Sequence, residues 1–299
     1  MSTNNWGRWG ADDERGSLNL LTDDVIKAAA ASITSGKVYG LGIPIQREGV
    51  PLMDYRGTPM RLTLQDGTDD PAYAAYGAKD GTGAHEDVLV MASHTTSHMD
   101  ALVHVYEDHK HYNGVAYTEM RALSGAAKLG IEKVGAFAAR AVLLDMVKYL
   151  GAKDWLEPGT LITAADLQGA AAAQGTEVRA GDVVLIRTGH VQMWWANNAA
   201  GVPEGFAQAG IGIDAAEWLA SIDVVAVGSD NAAVEVIPFD ENDFLIVHKI
   251  LLVRAGIYLL EHLDLAAPAA DGSYEGIIAV SPLKVTGATG SPINPVFIA

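Results

Sequence analysis

Short aliphatic runs alternate along this chain with alanine-rich stretches that open on a hydroxyl or a carboxylate. Residues 88–91, 141–145, 182–187 and 223–227 are β-branched or aliphatic runs bounded by glycine or polar residues, the pattern of buried strands. Thr22 followed by Asp23 and Asp24 predicts a capped helix through the alanines to Gly36, with both carboxylates near its positive end. Thr163 with Asp166, and Asp214 with Glu217, predict two further helix starts. Later in the chain Asn242 or Asp243 can cap a short helix that carries His248 and stops near Gly256. Residues 257–261 then read as a strand with Ile257, Leu259 and Glu261 on one inward face. A carboxylate carried inward needs a partner, and a metal ion is a good one. The sum is a mixed α/β fold.

Composition narrows this. The 299 residues are 49% hydrophobic, enough for one large core, and no linker rich in proline or serine divides them. A single domain over 1–299 is expected, with 1–20 as an amino-terminal arm. The opening residues lack the basic and apolar regions of a signal peptide, and the apolar runs are too short to span a bilayer. The chain has no cysteine, so no disulfide framework, and a cytoplasmic location is expected. A formal net charge of −17 repels phosphate backbones and anionic membranes, so neither nucleic acid nor membrane is an expected partner. There is no Gly-x-Ser-x-Gly elbow and no P-loop, and Gly40-Leu-Gly42 runs on into Ile-Pro, which is no dinucleotide fingerprint.

The chemistry concentrates in the run His94-Thr-Thr-Ser-His98-Met-Asp100-Ala-Leu-Val-His104. If the segment is extended, His98, Asp100 and His104 can face one side; if it turns helically, His94 and His98 share a face. Both geometries let at least two donors converge. Imidazole and carboxylate suit Zn²⁺, Mn²⁺ or Fe²⁺, and a thiolate site is excluded.

This run resembles the metal motif H-x-G-T-H-x-D-x-P-x-H of the cyclase-type metal-dependent hydrolases, the family of bacterial kynurenine formamidase and isatin hydrolase. It keeps all three histidines and the aspartate, with Thr96 for the glycine, Ser97 for the threonine and Leu102 for the proline. Residues 9–19, 181–189 and 228–235 also resemble family segments, and His248 with Glu261 resembles the late ligand pair. The resemblance implies a swivelling β/β/α domain with a barrel-like mixed sheet core and flanking helices. It implies one or two Mn²⁺ or Zn²⁺ ions per chain, held by His94, His98 and Asp100, with His248 and Glu261 completing the site or binding a second ion bridged by Asp100. His104 is then the acid/base residue, a role that suits an imidazole.

The expected activity is hydrolysis of a cyclic amide, imide or lactone, or of an aryl formamide, on a small-molecule substrate. His190 with Trp194 and Trp195 can form an aromatic wall over a substrate ring. Trp6 and Trp9 sit in a polar leading arm, suited to cover a pocket or a partner subunit in a homodimer or higher homo-oligomer. His85 reads as exposed, and His109 and His111 as part of a solvated turn. Two other classes compete. A non-haem Fe(II) oxygenase could use His98-x-Asp100 with His248 as a facial triad, but leaves His94 and His104 surplus and calls for an all-β shell. A binding protein could hold metal without turnover, leaving His104 idle.

Overall fold

In the computed structural model, which describes residues 4–79, 81–203 and 205–299, three of the four aliphatic runs form the middle of one sheet. Among the described residues its nine strands are β1 Val38–Gly40, β2 His98–Asp100, β3 Phe137–Asp145, β4 Val183–Arg187, β5 Ala226–Ser229, β6 Tyr258–Glu261, β7 Glu275–Val280, β8 Gly290–Pro292 and β9 Val296–Ile298. Their spatial order is β1-β9-β7-β3-β4-β5-β6-β2-β8, and the sheet curls into a half-barrel flanked by helices. Strands β3, β4, β5 and β6 run parallel, while β7, β9 and β1 continue antiparallel on one side and β2 and β8 on the other. The parallel strands are covered on both faces: Val142 to Leu144, Val183 to Leu185 and Val224 to Val227 have no solvent exposure. That is why they read as unbroken aliphatic runs rather than alternating ones.

Helix starts follow the sequence more closely than helix ends. Thr22 accepts the Val25 N–H and caps α1, Asp23–Ala29. A single 3₁₀ turn ends the element at Ser32, short of Gly36, because the N–H groups of Ser35 and Gly36 turn to the carbonyl of Ala299. Thr163 and Asp166 form a reciprocal capping box on α2, Ala164–Gln174. The helix α3 spans His190–Ala199. In α4, Ile213–Ser221, Asp214 lies in the first turn but serves the Ala164 N–H of α2, while Asp240 takes the Ile213 N–H from outside.

Two expectations are corrected. Residues 88–91 are not buried: Glu86–Val90 pairs only with Met60–Gln65 as a hairpin outside the main sheet, leaving Leu62, Leu64 and Leu89 about half exposed or more. An aliphatic run states that a strand is favoured, not what covers it. The late helix starts at Ile246, not at Asn242 or Asp243, and runs as Ile246–His248 into a π-helical stretch, Lys249–Ala255, closed by Gly256 at φ +69°; together these form α5. Asn242 is spent in the 3₁₀ turn Asp240–Asn242.

The leading arm docks on the carboxyl end of α5. Trp6 Nε1 donates to the Val253 carbonyl at 2.7 Å, and Asn5 reaches the carbonyls of Arg254 and Ala255. These bonds satisfy carbonyls that a helix end leaves free. Among the described residues no helix is long and apolar enough to cross a membrane.

Candidate metal centre

Strand alternation builds the first half of the site. On β2 the side chains of His98 and Asp100 leave one face while Met99, fully buried, enters the core from the other. The run is extended over His98–Asp100, as one of the two expected geometries has it, but His104 lies past the strand on a turn. Register supplies the next donor: Glu261 at the end of β6 sits opposite His98, so a residue 163 positions away lands beside it, with 3.0 Å between His98 Nε2 and Glu261 Oε2. His248 projects from α5 to the same point, its Nε2 lying 3.3 Å from Glu261 Oε1 and 3.6 Å from Asp100 Oδ2.

His94 precedes the strand and closes the cluster through Nδ1, 2.8 Å from Asp100 Oδ1, and Nε2, 2.9 Å from the Thr289 hydroxyl. Gly290, opposite Asp100 on β8, makes room for it, because a Cβ there would meet His94 Cε1 at 2.6 Å. After β2 the chain turns, with the His104 N–H on the Ala101 carbonyl, and lays the His104 ring on that of His94 with 4.0 Å between centroids. All six residues expected at the metal and proton-transfer site thus meet in one place. Their donor atoms form two overlapping triads able to hold an ion, His94–Asp100–His104 and Asp100–His248–Glu261, each within 4.8 Å and both using Asp100.

The donor set fits a cation. Two carboxylates and three imidazoles are buried here, yet His98 Nε2, Asp100 Oδ2 and Glu261 Oε1 have no hydrogen-bond partner among the described residues. The His98–Glu261 contact is close enough for an ion pair but off the line of an N–H bond, so the charges neutralise one another without aligned hydrogen bonds. Buried polar atoms left in that state are costly unless an ion takes them up.

The electrostatics follow. Burial opposes charging His98 and His248, but Glu261 overrides it at His98, and Glu235 with Glu261 overrides it at His248, raising the latter to about 10. Burial would lift the pKa of Asp100; the surrounding imidazoles of His104, His94 and His98, with a hydrogen bond from His94, outweigh it and hold the carboxyl well below its usual range. His104 is pushed down to about 3, chiefly by burial, and is neutral at pH 7.

Thr96, which stands where the resembled motif has glycine, keeps the left-handed backbone that glycine would supply, at φ +57°. Its carbonyl accepts His98 Nδ1 at 2.8 Å and so aims Nε2 inward. A β-branched residue in that region is strained by roughly 1–2 kcal/mol, and its buried hydroxyl has no partner among the described residues. Thr96→Gly is therefore expected to leave thermal stability unchanged or raise it by up to about 1 kcal/mol, the strain relief being partly offset by glycine's chain entropy. Metal affinity should not change, since the carbonyl stays; a loss of stability well beyond 1 kcal/mol in a melting experiment would refute the strain.

A cavity of about 470 Å³ is walled by Leu52, Met53, Asp54, Tyr55, His190, Phe206, Gln208 and Ala232. Arg56, next in its wall loop, donates to the His94 carbonyl. His190 opens α3 after Gly189, and burial pushes its pKa down to about 4. His262, which the sequence reading passed over, is buried with its ring 6.3 Å from that of His98, and it too is pushed down to about 3, first by burial and then by His98 and His190. It follows Glu261 at φ +53°, a turn that strand alternation does not foresee.

The tryptophans fall elsewhere. Trp195 packs on Ile43, Val50 and Val191 and donates to the Gly49 carbonyl; Trp194 lines a separate cavity of about 150 Å³ with Pro158, Met193 and Val202. Trp9 packs on the main core under Arg8. The larger cavity carries Tyr55 and Phe206 in its wall, with His190. His85 is exposed as expected, and so is His109, but His111 is buried, with Nδ1 on the Val105 carbonyl.

Comparison with known proteins gives a consistent picture. Residues 39–236 match the model of a family described as putative cyclase. A crystal structure of a novel cyclase is 36% identical, with 99% of this chain and 98% of that chain covered at a TM-score of 0.87. Isatin hydrolase A from Labrenzia aggregata is 17% identical over 90% of this chain and 94% of its own, with a TM-score of 0.62. A predicted metal-dependent hydrolase from Bacillus stearothermophilus is 23% identical over 87% and 97%, with a TM-score of 0.52. No curated protein sequence matches.

Proposed function

The chain belongs to the putative cyclase family, and from that footing we propose that it is a metal-dependent hydrolase that opens a cyclic amide, imide or lactone, or cleaves an aryl formamide. The observation that carries the reading is the convergence of His94, His98, Asp100, His248 and Glu261, with buried atoms of His98, Asp100 and Glu261 left without hydrogen-bond partners among the described residues, beside a neutral His104. The names of the isatin hydrolase and metal-dependent hydrolase neighbours support it.

A divalent ion, Mn²⁺ or Zn²⁺, supplies Lewis acidity for water and for the carbonyl under attack. The side chains do the rest. His98, Asp100, Glu261 and His248 form a charged floor, with Asp100 central to both triads. His104, unprotonated at neutral pH, takes the proton of the attacking water and returns it to the departing nitrogen or oxygen. The cavity lined by His190 has the size of a small-molecule site and would offer Tyr55, Phe206 and His190 to a flat ring.

The expected result is anaerobic, metal-dependent turnover of at least one aryl-fused lactam, imide, unsaturated lactone or aryl formamide, with one ¹⁸O from labelled water in the new carboxylate. A requirement for O₂, or label arriving from O₂, would transfer the site to an oxygenase built on His98, Asp100 and His248. Metal binding without turnover of any acyl compound would leave a binding protein.

A further inference from the structure

We propose that Glu235 is a positioning residue for the metal centre, holding His248 by the back of its ring so that Nε2 faces the ion; this rests on the metal reading above. Glu235 has no solvent exposure, and among the described residues its ion-pair partner is His248 alone, through a short contact between Oε1 and Nδ1. The same carboxylate accepts the N–H groups of Val247, at 3.2 Å, and His248, at 3.4 Å. One side chain thus fixes both the start of α5 and the ring that α5 carries.

Glu235 is itself held. Its carbonyl takes the Gln208 side-chain N–H at 2.9 Å, and Gly210 packs so closely that a Cβ there would meet the Glu235 carbonyl carbon at 2.3 Å. The other imidazoles are backed differently: His98 Nδ1 rests on a neutral backbone carbonyl, and His94 Nδ1 on Asp100 inside the cluster. Among the described residues, only at His248 does a carboxylate outside both candidate triads back the ring, an arrangement that sets tautomer and orientation and makes the ligand more basic.

Glu235→Gln keeps the length and one oxygen, enough to accept the nearer Val247 N–H though not both backbone N–H groups, and removes the charge. If the role were only to cap α5, the loss would show in the melting of the metal-free variant and not in metal affinity. On the proposal, Mn²⁺ affinity by calorimetric titration falls about 10–100-fold while the metal-free variant melts near wild type, and the visible spectrum of the Co²⁺-loaded protein shifts. In a His248→Ala background Glu235→Gln causes no further loss. Wild-type affinity in Glu235→Gln, or an equal fall in both backgrounds, overturns the proposal and leaves the metal reading standing; wild-type protein that binds neither Mn²⁺ nor Co²⁺ overturns both. Should the variants fail to fold, ¹⁵N spectra of Zn²⁺-loaded wild type decide: Nδ1 of His248 carries a proton and Nε2 is coordinated, and the reverse would refute it.

Discussion

Asp100→Asn is expected to lower divalent-metal affinity by more than a hundredfold and to remove turnover with it. Residues that only back a metal ligand cost about 10–100-fold when replaced; Asp100 belongs to both donor triads, and its Oδ2 has no hydrogen-bond partner among the described residues. Asparagine keeps the volume and one oxygen toward His94, so the β2 strand should survive while the charge is lost. Wild-type protein at a hundredfold excess of metal over Kd gains about 3 kcal/mol of stability from binding, a melting shift the variant should lack. The pH dependence has a definite sign. Glu235 and Glu261 make His248 hold its proton to about pH 10 in the metal-free protein, so binding must release it and affinity rises with pH across the neutral range. Full metal occupancy in Asp100→Asn after dialysis would move the centre away from β2.

The early half of this site was legible because its donors are close in sequence. Alternation along an extended segment places His98 and Asp100 together whatever the rest of the fold does. The meeting of His98 with Glu261 depends instead on which strands neighbour each other in the sheet, and register between residues so far apart has no local signature. Glu261 was readable as an inward carboxylate that a metal would suit, but its place in one ligand set with His248 came only through the resemblance. Glu235 shows the limit more sharply. Nothing around it marks a helix cap, since it serves N–H groups 12 and 13 residues further on, while the local candidates Asn242 and Asp243 were plausible and wrong. The hairpin of Met60–Gln65 and Glu86–Val90 fails for the converse reason: its aliphatic positions favour a strand correctly, but burial is a property of the surroundings. His262 required knowledge of a left-handed turn at a strand end, which a histidine does not advertise.

His104→Asn is the second large effect, and it separates proton transfer from metal binding. The geometry permits either role, because the His104 ring lies in a triad with His94 and Asp100 and also stacks on His94 as a free base would. Its place in the chain favours the base: it stands past the end of β2 on a turn, its backbone tied to Ala101, and not on the strand face that presents His98 and Asp100. Burial keeps it unprotonated at pH 7, the form that can accept a proton from water. Removal of a positioned acid/base group costs about 10²–10⁴ in kcat, equivalent to roughly 3–5 kcal/mol of barrier. Asparagine fills similar space but cannot carry the proton. The variant is therefore expected to bind metal with near-normal stoichiometry and affinity while kcat falls over that range. Parallel loss of metal and activity would make His104 a ligand, and unchanged kcat would remove it from the reaction.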